Sequence, residues 1–155
     1  MPDSPDIDGR ILTRPAPAVY LRESISNGNA REQALIRRWW HEQHKAQGCV
    51  VWEYQLAPKY ADAIWFPESP EQGVEHPGQR VKTRHPIKDV GIVLCEAKAE
   101  ALTSELIGQA LVHKFFAGRA GARVIRTIIF AENGTPDMRA AAEALGLEVV
   151  IGRAI

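Results

Sequence analysis

Cysteine is scarce in this chain. Cys49 and Cys95 are the two in 155 residues, both in apolar stretches, and neither belongs to a Cys-x-x-Cys or Cys/His spacing. That excludes a disulfide scaffold and a thiolate zinc site. Two buried, reduced thiols suit an intracellular protein. An excess of either charge is also lacking: 19 Lys and Arg balance 19 Asp and Glu, so bulk charge supplies no footprint for a nucleic acid, and any basic surface must be local. No apolar run approaches the roughly 20 residues that span a bilayer, and the start, Met-Pro-Asp-Ser-Pro-Asp, has no basic stretch followed by an apolar one. The expected setting is the cytoplasm, with no membrane partner. There is no glycine-rich phosphate loop or dinucleotide fingerprint, and no serine or cysteine nucleophile with a supporting histidine. His41, His44, His76, His85 and His113 do not fall at metal-ligand spacings, and His41 and His44 read as solvated. What remains is an ordinary globular composition, 45% hydrophobic and 25% charged, at the length of one domain.

The chain divides into a proline-bearing arm, residues 1–28, and a folded part, residues 29–155. The arm contains one strand-like piece at 18–21. Asn29 reads as a helix N-cap with Glu32 completing a capping box, and the helix runs to about Gln47 before Gly48. Glu32, Leu35, Ile36, Trp39 and Gln43 share one face of it. Trp39 and Trp40 read as core and partner surface, one of them exposed. Residues 49–56 and 60–66 read as a hairpin around Pro58-Lys59. In its second strand Asp62, Ile64 and Phe66 share a face, opposite Ala61, Ala63 and Trp65. Residues 67–89 form a long insertion whose basic half holds Arg80, Lys82, Arg84, His85 and Lys88. Beyond the strand at 90–98, a helix spans 101–117 with Leu106, Ile107, Ala110, Leu111 and Phe115 as its buried stripe. Gln109 and His113, four apart, stack along its edge. A strand at 123–130, a helix begun by Pro136 and stopped by Gly146, and a strand at 147–151 complete an α/β order. Crossover helices imply parallel pairing for the later strands.

The chemistry gathers on residues 90–98, Val-Gly-Ile-Val-Leu-Cys-Glu-Ala-Lys. An apolar, β-branched run reads as a buried central strand, yet it ends in Glu96 and Lys98, which project to the same side about 6.6 Å apart. Asp62 is an acid inside an apolar strand and calls for a partner. Two carboxylates meeting at one point need a cation between them, and an oxygen-only site selects Mg²⁺ or Mn²⁺. A lysine beside such an ion can orient an attacking water and stabilise charge developing on a phosphate.

These residues resemble the PD-(D/E)xK nuclease superfamily. The likeness rests on Asp62 in Tyr-Ala-Asp-Ala-Ile-Trp, on Glu96-Ala97-Lys98 after an apolar strand, and on Gln109 in Leu-Ile-Gly-Gln-Ala-Leu, and it extends over roughly residues 29–151. Ala61 stands where the motif has proline, and the insertion at 67–89 lengthens the gap between the acids. The resemblance implies a restriction-endonuclease-like three-layer sandwich, a central mixed β-sheet flanked by helices. It also implies a divalent-metal-dependent endonuclease hydrolysing DNA phosphodiester bonds. By the same likeness Asp62, Glu96 and the Ala97 carbonyl hold the metal and Lys98 acts on the water. Glu32 joins the site from the first helix, and Gln109 supports the lysine or contacts DNA. Arg80, Lys82, Arg84, Lys88 and His113 are the candidate DNA contacts. Because one metal site cuts one strand at a time, cleavage of both strands implies a homodimer. The alternative is a non-catalytic nucleic-acid-binding or assembly module that keeps the fold, which the Trp39-Trp40 pair favours.

Overall fold

The computed structural model describes residues 12–13, 28–56, 58–75 and 85–152. Its elements are β1 (Leu12–Thr13), α1 (Gly28–His44), β2 (Cys49–Leu56), β3 (Lys59–Phe66), β4 (Gly73–Glu75), β5 (Gly91–Ala101), α2 (Ser104–Arg119), β6 (Arg123–Asn133), α3 (Pro136–Ala144) and β7 (Glu148–Ile151). The strands form one mixed seven-stranded sheet in the order β1-β4-β2-β3-β5-β6-β7. β2 and β3 are the expected hairpin, β3 pairs antiparallel with β5, and β5, β6 and β7 run parallel. The parallel pairs follow from the helices that connect them, which need a dozen or more residues to cross over.

β5 is apolar without alternation because helices cover both faces of the sheet. Val93, Cys95 and Ala97 pack with Leu35, Ile36, Trp39 and Trp40 of α1. Ile92 and Leu94 look the other way, toward Ala117 of α2, and further along that face Leu106, Ile107 and Ala110 of α2 meet Ala142 of α3 and Ile129 of β6. Helix boundaries follow local chemistry. Thr103 and Thr135 cap α2 and α3, each hydroxyl accepting from the backbone N–H three residues on, and Pro136 opens α3. Gly48, after α1, has φ +75, and a Cβ there would stand 2.2 Å from the Phe66 carbonyl oxygen, so no other residue fits.

Several expectations are corrected. α1 begins at Gly28, so Asn29 lies in its first turn and is not its cap. Trp39 and Trp40 are both buried, at 8% and 0% exposure. Adjacent helical residues both find cover because Trp39 packs edge-on against Trp65 and Phe130, while the turn after the helix closes over Trp40. The Trp40 and Trp65 indoles donate to the same acceptor, the Gln47 carbonyl, at 2.8 and 2.6 Å. His44 is only partly solvated; its ring lies 4.5 Å from that of Trp39 and 4.6 Å from that of Trp65. On α2 the inward stripe is Leu106, Ile107, Ala110, His113 and Ala117, and Phe115 is 63% exposed. The insertion at 67–89 contributes β4, which pairs parallel with β2. The strand-like piece at 18–21 lies outside the described residues.

The hairpin contains a twin irregularity. Val50 and Trp52 of β2 face α1, whereas Tyr54 and Leu56 lie on the α2 side; across the pair Ala63 and Trp65 face α1 while Ala61 joins Ile64 and Phe66. The alternation therefore inverts in both strands at one rung, Glu53 opposite Asp62. Register is the same on either side of that rung, Trp52 pairing with Ala63 and Tyr54 with Ala61. Glu53 absorbs the inversion in a left-handed conformation, φ +50. The expectation that Asp62 shares a face with Ile64 and Phe66 and lies opposite Ala61 assumed unbroken alternation, and it fails here.

Candidate active site

The β3–β5 ladder runs from Trp65–Val93 to Ala63–Cys95 and stops there. One residue further the strands part, and side chains take over the bonding. The Ala97 N–H donates to Asp62 Oδ2 at 2.8 Å, and the Asp62 N–H donates to Glu96 Oε1 at 3.4 Å. Each acid thus sits in the opening between the two strands. The separation that the long insertion left open is absent: Asp62 and Glu96 stand on adjacent strands.

Glu96 is completely buried. Its Oε1 accepts from Gln109 Nε2 at 3.2 Å, and its Oε2 lies 2.6 Å from His113 Nδ1, so both oxygens are held by α2. Burial pushes the Glu96 carboxyl above its usual range, and the His113 bond is the largest influence drawing it back. Asp62 is pushed up to about 8, first by burial and then by the neighbouring Glu96 charge, with the Ala97 N–H acting against them. Both shifts favour the protonated form, as burial and a close second carboxyl do.

Glu32, Glu132 and Lys98 lie further along, on α1, β6 and β5. Glu32 accepts from the Ala99 N–H at 3.3 Å, so instead of closing a capping box it ties the start of α1 to β5. Its charge adds to the upward push on Asp62. Glu132 of β6 accepts from the Glu100 N–H at 2.8 Å and pairs with Arg31, a second tie between α1 and this end of the sheet. Lys98 is exposed on β5 opposite Ala131, just before an irregularity in the β5–β6 ladder at which Glu100 takes φ +77. Left-handed Glu53 and Glu100 thus lie on both sides of the site. Such conformations cost about 1–3 kcal/mol each and persist where the surroundings enforce them.

Sequence reasoning brought Asp62, Glu96, Ala97, Gln109 and Glu32 together, and the structure does the same. It treats His113 differently: the ring, expected at a DNA contact, is 3% exposed and bonds Glu96. The signal was helical phase, since Leu106, Ala110, His113 and Ala117 recur at intervals of four, three and four. Glu132 was missed altogether; nothing about a single acid near a strand end announces it. Lys88 stands before the first residue of β5, at the opposite end of the strand from Glu96. Arg80, Lys82 and Arg84 lie outside the described residues.

A cleft of about 480 Å³ opens between the start of β3 and the first turns of α2; Asp62 and Glu96 do not line it, but Gln109 and His113, which bond Glu96, form part of its wall. The donor set suits a hard cation: carboxylate oxygens and a nearby backbone carbonyl, with no thiolate. Two buried carboxyls both pushed toward their protonated forms are what such an ion would relieve. Among the described residues no three His, Cys, Asp or Glu side chains converge as a metal cage. No family model, curated protein or solved structure matches the chain.

Proposed function

We propose that the chain is a divalent-metal-dependent endonuclease that hydrolyses DNA phosphodiester bonds, with the mixed sheet and its helices forming a restriction-endonuclease-like sandwich. The observation that carries this reading is the meeting of Asp62 and Glu96 where β3 and β5 part, with Lys98 two residues along the same strand. Asp62, Glu96 and the Ala97 carbonyl would hold Mg²⁺ or Mn²⁺. The bound ion supplies charge neutralisation at the phosphate and a more acidic water. Two carboxylates leave coordination positions for water and phosphate oxygens, which magnesium prefers to a closed protein cage.

The protein's own contributions are local. Gln109 and His113 keep the Glu96 carboxylate in one orientation, and Glu32 fixes the strand backbone at Ala99. Lys98 orients the attacking water by donating a hydrogen bond and stabilises charge on the phosphate in the transition state. Attack in line with the P–O3′ bond forms the new P–O bond as the 3′ oxygen leaves, giving a 5′-phosphate and a 3′-hydroxyl. A second copy of the chain would be needed to cut both strands of a duplex together.

The second reading, a non-catalytic DNA-binding or assembly module, draws on the bonding of both Glu96 oxygens by α2 and the Asp62 N–H. One experiment separates the two. Supercoiled plasmid, single strands, flaps, junctions and mismatched duplexes are incubated with Mg²⁺ or Mn²⁺, alongside Glu96→Gln and Lys98→Ala. Metal-dependent cutting that both variants lose supports the nuclease. DNA binding without cutting by any form sinks it in favour of the module.

A further inference from the structure

Glu96 has no exposed surface, and Asp62 is only partly exposed. A cleft lies between the start of β3 and the first turns of α2. Lys59 and Tyr60 line one side and α2 the other, with Gln109 and His113 joining the wall to the carboxylates. Its volume of about 480 Å³ lies within the usual range for a bound small molecule and is far too small for a double helix.

The lining chemistry is specific. Tyr60 is 57% exposed and Val112, on the opposite wall, 45%, so an aromatic face and an aliphatic one border the same space. Gly108 is on the α2 wall, and a Cβ added there would meet nothing within 4 Å. Lys59 brings an ammonium to the β3 side, while Glu105 is the one acid in the lining. An aromatic platform, a small residue leaving room above it and a cation for the backbone are what proteins use to hold unpaired bases. Tyr60 precedes Asp62 by two residues, about 6.6 Å along the strand. A strand whose base stacks on Tyr60 would thus run toward Asp62.

We infer that this cleft takes a single strand of DNA, one unpaired base stacking on Tyr60 and packing toward Val112, so that the substrate of the proposed nuclease is DNA whose strands are locally open. The inference rests on the nuclease reading for its substrate class, but its test reads binding alone. A short fluorescein-labelled oligo(dT), and the same strand annealed to oligo(dA), are titrated with the full chain in Ca²⁺ and followed by anisotropy.

The single strand is expected to bind more tightly than the duplex. Tyr60→Ala should weaken single-strand binding at least about five-fold, the lower end of what one stacked base contributes. Tyr60→Phe, which keeps the ring, should bind as the wild type does. Gly108→Leu should bind poorly while melting at an equal or higher temperature, because it fills the cleft and replaces a helical glycine. Equal affinity for the two DNA forms, or undiminished binding by Tyr60→Ala and Gly108→Leu, overturns the inference. Single-strand binding lost in Tyr60→Ala without cleavage under any condition upholds the cleft and removes the nuclease. Metal-dependent cleavage of duplexes without single-strand preference does the reverse.

Discussion

The two halves of β5 make opposite use of the same strand. From Val93 to Cys95 it is paired on both sides and covered on both faces, and every residue there is apolar. From Glu96 on, β6 remains but β3 has turned away, and carboxylates occupy the place of the missing ladder. The first half shows what a closed sheet does with a buried strand. The second shows that ending the ladder early creates room for a fully buried Glu96 and a partly buried Asp62, with neighbouring N–H groups pointing into the gap.

Substitutions on each side of Cys95 should therefore fail differently. The largest expected effect is Lys98→Ala, which should lower metal-dependent cleavage by about 10²–10³-fold or more, the scale for removing one transition-state donor. Its melting temperature should stay near that of wild type, since surface changes usually fall within about 0.5 kcal/mol. Undiminished cleavage would dissociate Lys98 from the reaction. Leu94→Ala, two residues before Glu96 and fully buried, should instead cost about 2–5 kcal/mol of stability in a urea titration. A cost below about 1 kcal/mol would mean that the closed half is not the anchor of the sheet.

The pH response of the open half comes next. With Asp62 pushed from 3.8 to about 8, the folded state binds a proton that the unfolded state releases. Its contribution to stability is complete below about pH 4 and is lost as pH rises through about 8. The metal-free melting temperature should fall over that window, Asp62→Asn should flatten the fall, and Mg²⁺ at pH 8 should raise the wild-type value but not that of the variant. A flat profile in the wild type would separate Asp62 from Glu96 in solution. The smallest effect tests the support behind the gap: Thr103→Ala should cost about 1 kcal/mol by removing the cap of α2, the helix that holds Glu96. A loss of cleavage larger than that stability change explains would show that the start of α2 also sets the Glu96 carboxylate.

The contrast also explains what the sequence reveals. The apolar run at 90–98 ending in Glu96 and Lys98, the hairpin, and the helix opened by Pro136 are legible, because burial and helix-start chemistry leave local marks, whereas the helix read from 101 starts at Ser104 after β5 runs on to Ala101. Asp62 stands out as an acid among apolar strand residues. The inversion at Glu53 and Asp62 is not legible, since two strands that flip together preserve their pairing and leave no gap in the pattern. His113 is missed because a histidine on a helix reads as surface unless the phase of the stripe is followed through Leu106 and Ala110. β4 is hidden for another reason: three residues in a Pro- and Gly-rich stretch become a strand only through parallel pairing with β2, far away in sequence.

All four tryptophans, Trp39, Trp40, Trp52 and Trp65, belong to the core on the α1 side of the sheet, and two of them share the Gln47 carbonyl. The ultraviolet emission of the protein is thus a report from one face alone. Helix α1 carries Trp39 and Trp40 together with Glu32, so lifting it from β5 would wet its indoles and shift their emission to the red as Glu32 leaves Ala99. An unlabelled sample already contains an optical gauge of whether that side of the site is assembled.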